Sequence, residues 1–126
     1  MDFKKKDAIY LQIGDKICEN ILTGRWPAGE KIPSVREMAV SIEVNPNTVM
    51  RAYAFLQEKN IIRNKRGIGY FVSDEGYDNT LELMRTDFIH YDLPRLFKGI
   101  QLLKIDFKEL KKRYTEYERG ENENQQ

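Results

Sequence analysis

Asn47 and Arg51 stand four residues apart, a spacing that brings two side chains onto one face of a helix. An amide can pair bidentately with adenine, and a guanidinium can read guanine or hold a phosphate. Thr48 and Met50 flank the pair and Ala54 follows one turn on, so the face is polar, small and basic, with no carboxylate in its first two turns. Between residues 34 and 73 six Lys or Arg stand against three Asp or Glu, although the whole chain of 126 residues carries a formal net charge of only +1. Composition by itself therefore selects no polyanionic partner, and any basic surface is local.

Other chemistries find less support. Cys18 is the only cysteine and His90 the only histidine, and neither has a recognisable catalytic or metal-ligand motif around it. The carboxylates fall at helix caps and solvated helical positions, where stabilising roles suffice. The sequence thus predicts no enzyme, no metal and no cofactor. Gly67-Ile68-Gly69 lacks the third glycine and the following helix of a nucleotide-binding loop. A lone thiol excludes an intramolecular disulfide framework and fits a reducing cytoplasm. No basic start leads into a long apolar stretch, and no apolar run is long enough to span a bilayer, so a cytoplasmic protein with no membrane partner is expected.

The elements that must position these residues follow from hydrophobic spacing. After an arm containing Lys4, Lys5 and Lys6, Asp7 is placed to cap a helix carrying Ile9, Ile13, Ile17 and Ile21, which Gly24 ends. Lys31-Ile32-Pro33 makes at most a brief strand. Ser34 and Glu37 have capping-box spacing for a second helix with Val35, Met38, Ala39 and Ile42 inward, closing near Glu43 and Val44. Asn45 caps a third helix with Pro46 at its first position and Val49, Ala52, Tyr53 and Leu56 on its buried stripe. Ile61 to Asn64 and Tyr70 to Val72 then flank the turn residues 65–69 as a hairpin. Two short helices joined by a tight turn and followed by a basic hairpin make a winged helix-turn-helix, whose second motif helix enters the major groove.

The segments Gly29-Glu30-Lys31-Ile32-Pro33-Ser34-Val35-Arg36-Glu37-Met38-Ala39, Val44-Asn45-Pro46-Asn47-Thr48-Val49 and Arg51-Ala52-Tyr53 resemble the signature of GntR-type bacterial regulators, in the right order over roughly the first 73 residues. The resemblance implies DNA contacts at Arg36, Asn45, Asn47, Thr48 and Arg51, and at Arg66 and Gly67 on the wing. Each of several positions also has a structural reading. Arg36 has Glu37 and Glu43 within reach as surface partners, Asn45 is a sufficient N-cap, and Arg66 and Gly67 suit a hairpin tip that needs positive φ. The basic arm reads as a phosphate contact or as a solvated run. Met50 departs from the family, where a polar residue is usual: it meets a thymine methyl or reads nothing.

Residues 74–78 are polar and contain glycine, and a junction is expected there. The division is therefore 1–75 for the winged helix, 76–118 for a helical region and 119–126 for a disordered tail. The helical region resembles the short extension of the YtrA subfamily. Its stripes of Phe88, Tyr91, Leu96, Phe97, Ile100, Phe107, Leu110 and Tyr114 are too apolar to leave exposed, and a homodimer is expected. Asp106 and Glu109 have capping-box spacing for its last helix. So short a region cannot enclose a metabolite pocket of the usual size, which leaves room for a small effector only at a subunit interface. The fold class is thus α+β, a winged helix-turn-helix followed by an all-α dimerisation extension. The expected function is sequence-specific binding of a double-stranded DNA operator with inverted-repeat symmetry, in repression. The rival is a winged helix serving as a protein-interaction scaffold.

Overall fold

The computed structural model describes residues 8–124, and the chain forms two compact units, Met1–Phe88 and Ile89–Gln126. The first unit holds α1 (Ile9–Leu22), α2 (Val35–Ile42), α3 (Pro46–Glu58), the antiparallel strands β1 (Ile62–Lys65) and β2 (Gly69–Val72), and α4 (Gly76–Asp87). The second holds α5 (Leu93–Leu103) and α6 (Phe107–Asn124), which follow a π-helical segment, Phe88–Asp92, that begins at the division.

Two caps define the helix-turn-helix. The Ser34 Oγ accepts the Glu37 N–H at 3.0 Å while the Glu37 Oε1 accepts the Ser34 N–H at 2.8 Å, closing the capping box at the start of α2. The hydrogen bond from the Ser34 backbone is the chief reason the Glu37 carboxyl lies below its ordinary range. Glu43 ends α2 in the left-handed region at φ 56°. Two residues on, the Asn45 Oδ1 accepts the Asn47 N–H at 2.8 Å, and Pro46 opens α3. The first helix is capped otherwise: its N-cap is Ala8, which makes no side-chain cap, and the expected Asp7 cap and the Lys4 to Lys6 arm lie outside the described residues.

The core gathers Ile13, Ile17, Cys18 and Ile21 from α1, Ala39 from α2, Val49, Ala52, Tyr53 and Leu56 from α3, and Ile32, Ile61, Ile62 and Val72 from around the hairpin. Burying each large aliphatic side chain contributes about 1.5–3 kcal/mol. Two expected core positions are different: Ile9 is 56% and Ile42 40% exposed. Both line an open apolar groove of about 640 Å³ between α1 and α2, because α2 packs on α3 rather than on α1.

In the hairpin Ile62 pairs with Val72, Arg63 with Phe71, Asn64 with Tyr70 and Lys65 with Gly69. The segment before α2 adds an edge: Ile32 N–H donates to Tyr70 O at 3.0 Å and Val72 N–H to Glu30 O at 2.9 Å. The expected brief strand is thus one bridge, Lys31 with Phe71.

The first compact unit runs to Phe88, because α4 packs back on α1 and sets Leu83 and Met84 against the core. Its start is tied to the hairpin. The Asn60 carbonyl accepts from Ser73 Oγ at 2.6 Å and from Asn79 Nδ2 at 3.1 Å. Gly76 is the residue that allows this approach, since a Cβ there would lie 2.8 Å from Val72 Cγ1 and 2.9 Å from Ile61 O.

In the second unit Asp106 Oδ1 accepts the Glu109 N–H at 2.8 Å, and Glu109 pairs with Arg113 at 2.9 Å one turn on. α6 continues through Arg119 to Asn124. Once α6 is nucleated, each further residue of moderate propensity adds a hydrogen bond at little extra cost.

Two glycines give a paired stability test. Gly76→Ala should lower the denaturation midpoint by the equivalent of about 1–3 kcal/mol, since the Ile61 carbonyl cannot step aside. Gly14→Ala, whose Cβ would meet only Leu56 Cδ2 at an ordinary 3.8 Å, should instead stabilise by up to about 1 kcal/mol. Urea titration of the two variants checks both signs.

Candidate nucleic-acid interface

The buried stripe of α3 determines what its opposite face presents. Val49, Ala52, Tyr53 and Leu56 are fully buried, so Asn47, Arg51 and Ala54 are turned outward and exposed. Tyr53 anchors the helix on two sides. Its hydroxyl donates to the Pro33 carbonyl at 2.6 Å, just ahead of α2, and its ring meets the ring of Tyr70 on β2 edge-on at 4.9 Å. Burial, with smaller contributions from Tyr70 and Glu37, pushes its hydroxyl pKa well up, so it remains a donor.

The expected site residues fall on three neighbouring features. Arg36 lies exposed in the first turn of α2. Asn45 is the N-cap of α3, with its side-chain oxygen committed to the Asn47 amide. Asn47 is exposed and Thr48 half-buried in the first turn of α3, with Arg51 exposed one turn further on. Arg66 and Gly67 are the two central residues of the wing turn that the Ile68 N–H closes on Lys65 O at 2.9 Å, Gly67 taking φ 78°. Lys65 beside them sets its ammonium 4.5 Å from the centroid of Phe71, and Ile68 stands 60% exposed.

Two side chains around this face did not emerge from the sequence. The Arg51 guanidinium carbon lies 4.2 Å from the centroid of Tyr10 on α1, and Tyr10 in turn meets Phe55 edge-on at 6.3 Å. On the other flank the Tyr70 hydroxyl points at Met50 Sδ, 4.0 Å away. Arg51 thus has a structural partner, where the sequence offered it none. The available signal for Tyr10 was its place one turn before Gly14 on the line that continues through Ile17 and Ile21, the face α1 turns to α3.

Cys18 lies in the core of the first unit, and His90 belongs to the second unit. Cys18 is 1% exposed, and burial, reinforced by Asp15 and Asp87, pushes its pKa up to about 12. His90 is exposed and meets Tyr91 edge-on at 4.6 Å. Among the described residues no group of three or more His, Cys, Asp or Glu could hold a metal, and no helix is long and apolar enough to cross a membrane.

A three-helix core with a capped recognition helix, a tight turn before it and a basic hairpin after it defines a winged helix-turn-helix regulator. The family model described as bacterial regulatory proteins, gntR family, matches residues 9–72. The chain belongs to the GntR family, in its YtrA-like branch, and is a DNA-binding transcriptional regulator rather than an enzyme. It is 36% identical over 110 residues to the HTH-type transcriptional repressor YtrA of Bacillus subtilis, covering 83% of this chain and 84% of that one. With the uncharacterized HTH-type transcriptional regulator YhcF of the same organism it shares 40% identity over 73 residues, 58% of this chain and 60% of that one. The crystal structure of a putative GntR-family transcriptional regulator from Bacteroides thetaiotaomicron superposes with a TM-score of 0.72 at 42% identity, covering 90% of this chain and 99% of that one.

The depth of Cys18 gives a direct check on thiol chemistry. At pH 8 the native protein should resist iodoacetamide because the thiolate is disfavoured by burial and the sulfur is covered. The chain in denaturant should alkylate fully, as mass spectrometry would record.

Proposed function

We propose that the chain is a homodimeric repressor that binds an inverted-repeat operator through α3 and the wing. The observation that carries this reading is the division of α3 into a fully buried stripe and an exposed Asn47–Arg51–Ala54 face, beside a wing tip bearing Lys65 and Arg66. Asn47 and Arg51 read base edges in the major groove, Thr48 assists from the first turn, and Asn45 orients that turn while capping it. Arg36 on α2, and Arg66 with Gly67 on the wing, hold phosphates or the minor groove. Repression is inferred from the name of the Bacillus subtilis relative.

The second unit supports dimerisation. α5 contains no buried residue, and Phe97 at 50%, Leu103 at 72% and Phe107 at 75% exposure are large apolar groups that a second copy would cover. Two-fold symmetry in the protein then requires it in the operator, with half-sites separated by about one helical turn or a geometry-dependent multiple of it.

Binding-site selection from randomised duplexes tests recognition. Arg51→Ala should weaken binding by about 1–3 kcal/mol per half-site and relax the preference at one base position. Arg36→Ala and Arg66→Ala should lower affinity for every sequence and reduce the salt slope by about one unit per phosphate contact. Unchanged affinity and consensus for both Asn47→Ala and Arg51→Ala would move the reading surface elsewhere, and specific binding of no duplex at all would favour a protein-docking scaffold.

Light scattering tests assembly. The full chain should run as a dimer and a chain ending at Phe88 as a folded monomer; a dimer of the shortened chain would remove α5 and α6 from the interface.

A further inference from the structure

We propose that Tyr10 is a positioning residue for base reading: its ring holds the Arg51 guanidinium in the plane from which it meets the operator. The inference rests on the reading of Arg51 as a base contact and adds to it the element that orients the side chain, α1.

The geometry has three parts. The Arg51 guanidinium carbon stands 4.2 Å from the Tyr10 ring centroid, within the range of a cation–π contact. The ring is itself held. Tyr10 meets Phe55 edge-on at an interplanar angle of 77°, and α1 is packed along α3 through Gly14, where even an added Cβ would sit 3.8 Å from Leu56 Cδ2. Finally, the side chains that could crowd Arg51 are small or engaged. Ala54 is one turn away, and Met50 lies against the wing, its sulfur 4.0 Å from the Tyr70 hydroxyl.

Such contact suits base reading for a chemical reason. A guanidinium bears its five N–H donors in its own plane, and an aromatic ring over its face leaves that fork free. A free arginine must freeze several rotatable bonds to present the fork to guanine O6 and N7, whereas a side chain held against a ring is already restricted. A phosphate accepts charge from many directions and gains little from a fixed plane. A ring contact that restricts Arg51 in the free protein therefore favours discrimination between bases over simple attraction. It also makes α1, which itself meets no base in this reading, part of the sequence-reading apparatus.

The test is a double-mutant cycle on the full-length protein. Affinity is measured by fluorescence anisotropy on the duplex that wild type selects and on one with the base that Arg51→Ala ceases to distinguish replaced. Thermal melting confirms that each variant folds, and Tyr10→Met replaces Tyr10→Leu if leucine is not tolerated. Tyr10→Phe, which keeps the ring, should match wild type. Tyr10→Leu should lose about two- to fivefold per half-site on the selected duplex, nothing on the altered duplex, and nothing further in the Arg51→Ala background. Equal losses on both duplexes, an undiminished loss in the Arg51→Ala background, or no loss in wild type would each overturn the positioning role. If Arg51→Ala alone changes neither affinity nor preference, the base-contact reading falls and the positioning role falls with it. If Arg51→Ala matters and Tyr10→Leu does not, only the positioning role fails.

Discussion

The recognition helix depends on Tyr53. Its ring is wholly buried at the centre of the α3 stripe, its edge-on contact with Tyr70 joins α3 to the wing, and its hydroxyl joins α3 to the backbone ahead of α2. One side chain therefore relates α3, the wing and the segment that leads into α2. The hydrogen bond matters beyond its modest net stabilisation of about 1 kcal/mol, because losing it would leave the Pro33 carbonyl without its partner. The caps at Ser34 and Asn45 then only have to start each helix at the right residue, and the orientation follows from Tyr53.

This arrangement explains why the outer face of α3 is so lightly built. Everything that fixes α3 is on its inner side or its flanks, so the outer face is free to carry side chains chosen for contact. Arg51 breaks that separation, since it leans on α1 while remaining exposed. The outer face of α3 and the frame behind it are coupled at Arg51. Met50, on the opposite flank, has its sulfur turned toward the wing, which gives the family's usual polar position a packing role in this chain.

Much of the fold was legible in the sequence because its decisive signals are local. Ser34 with Glu37, Asn45 with Pro46, and the spacing of Val49, Ala52, Tyr53 and Leu56 each announce themselves within a few residues, and the structure holds all of them. What could not be seen depends on distant approach. Residues 74–78 resemble a linker by composition, yet Gly76 is there because the backbone of Ile61 comes within reach of where its Cβ would be. Membership of α4 in the first unit is a tertiary fact that no window reveals. The same holds for the pairing of Tyr10 with Arg51, which lie on different helices. The end of α6 is illegible for the opposite reason: hydrophobic periodicity stops before the helix does at Asn124, and an exposed helix needs none.

The edge formed by residues 30–32 against β2 has a bearing on how the molecule folds. The α2–α3 pair and the hairpin each assemble from neighbours in sequence, but Ile32 must find Tyr70, closing a loop of roughly 40 residues whose entropy cost must be met before its contacts stabilise anything. The contact of α1 with α4 encloses a longer loop still. The helix-turn-helix is thus the rapid, local part of the chain, and the slow step falls on the frame that surrounds it. The helix-turn-helix takes shape early, and its exact bearing in space is set last.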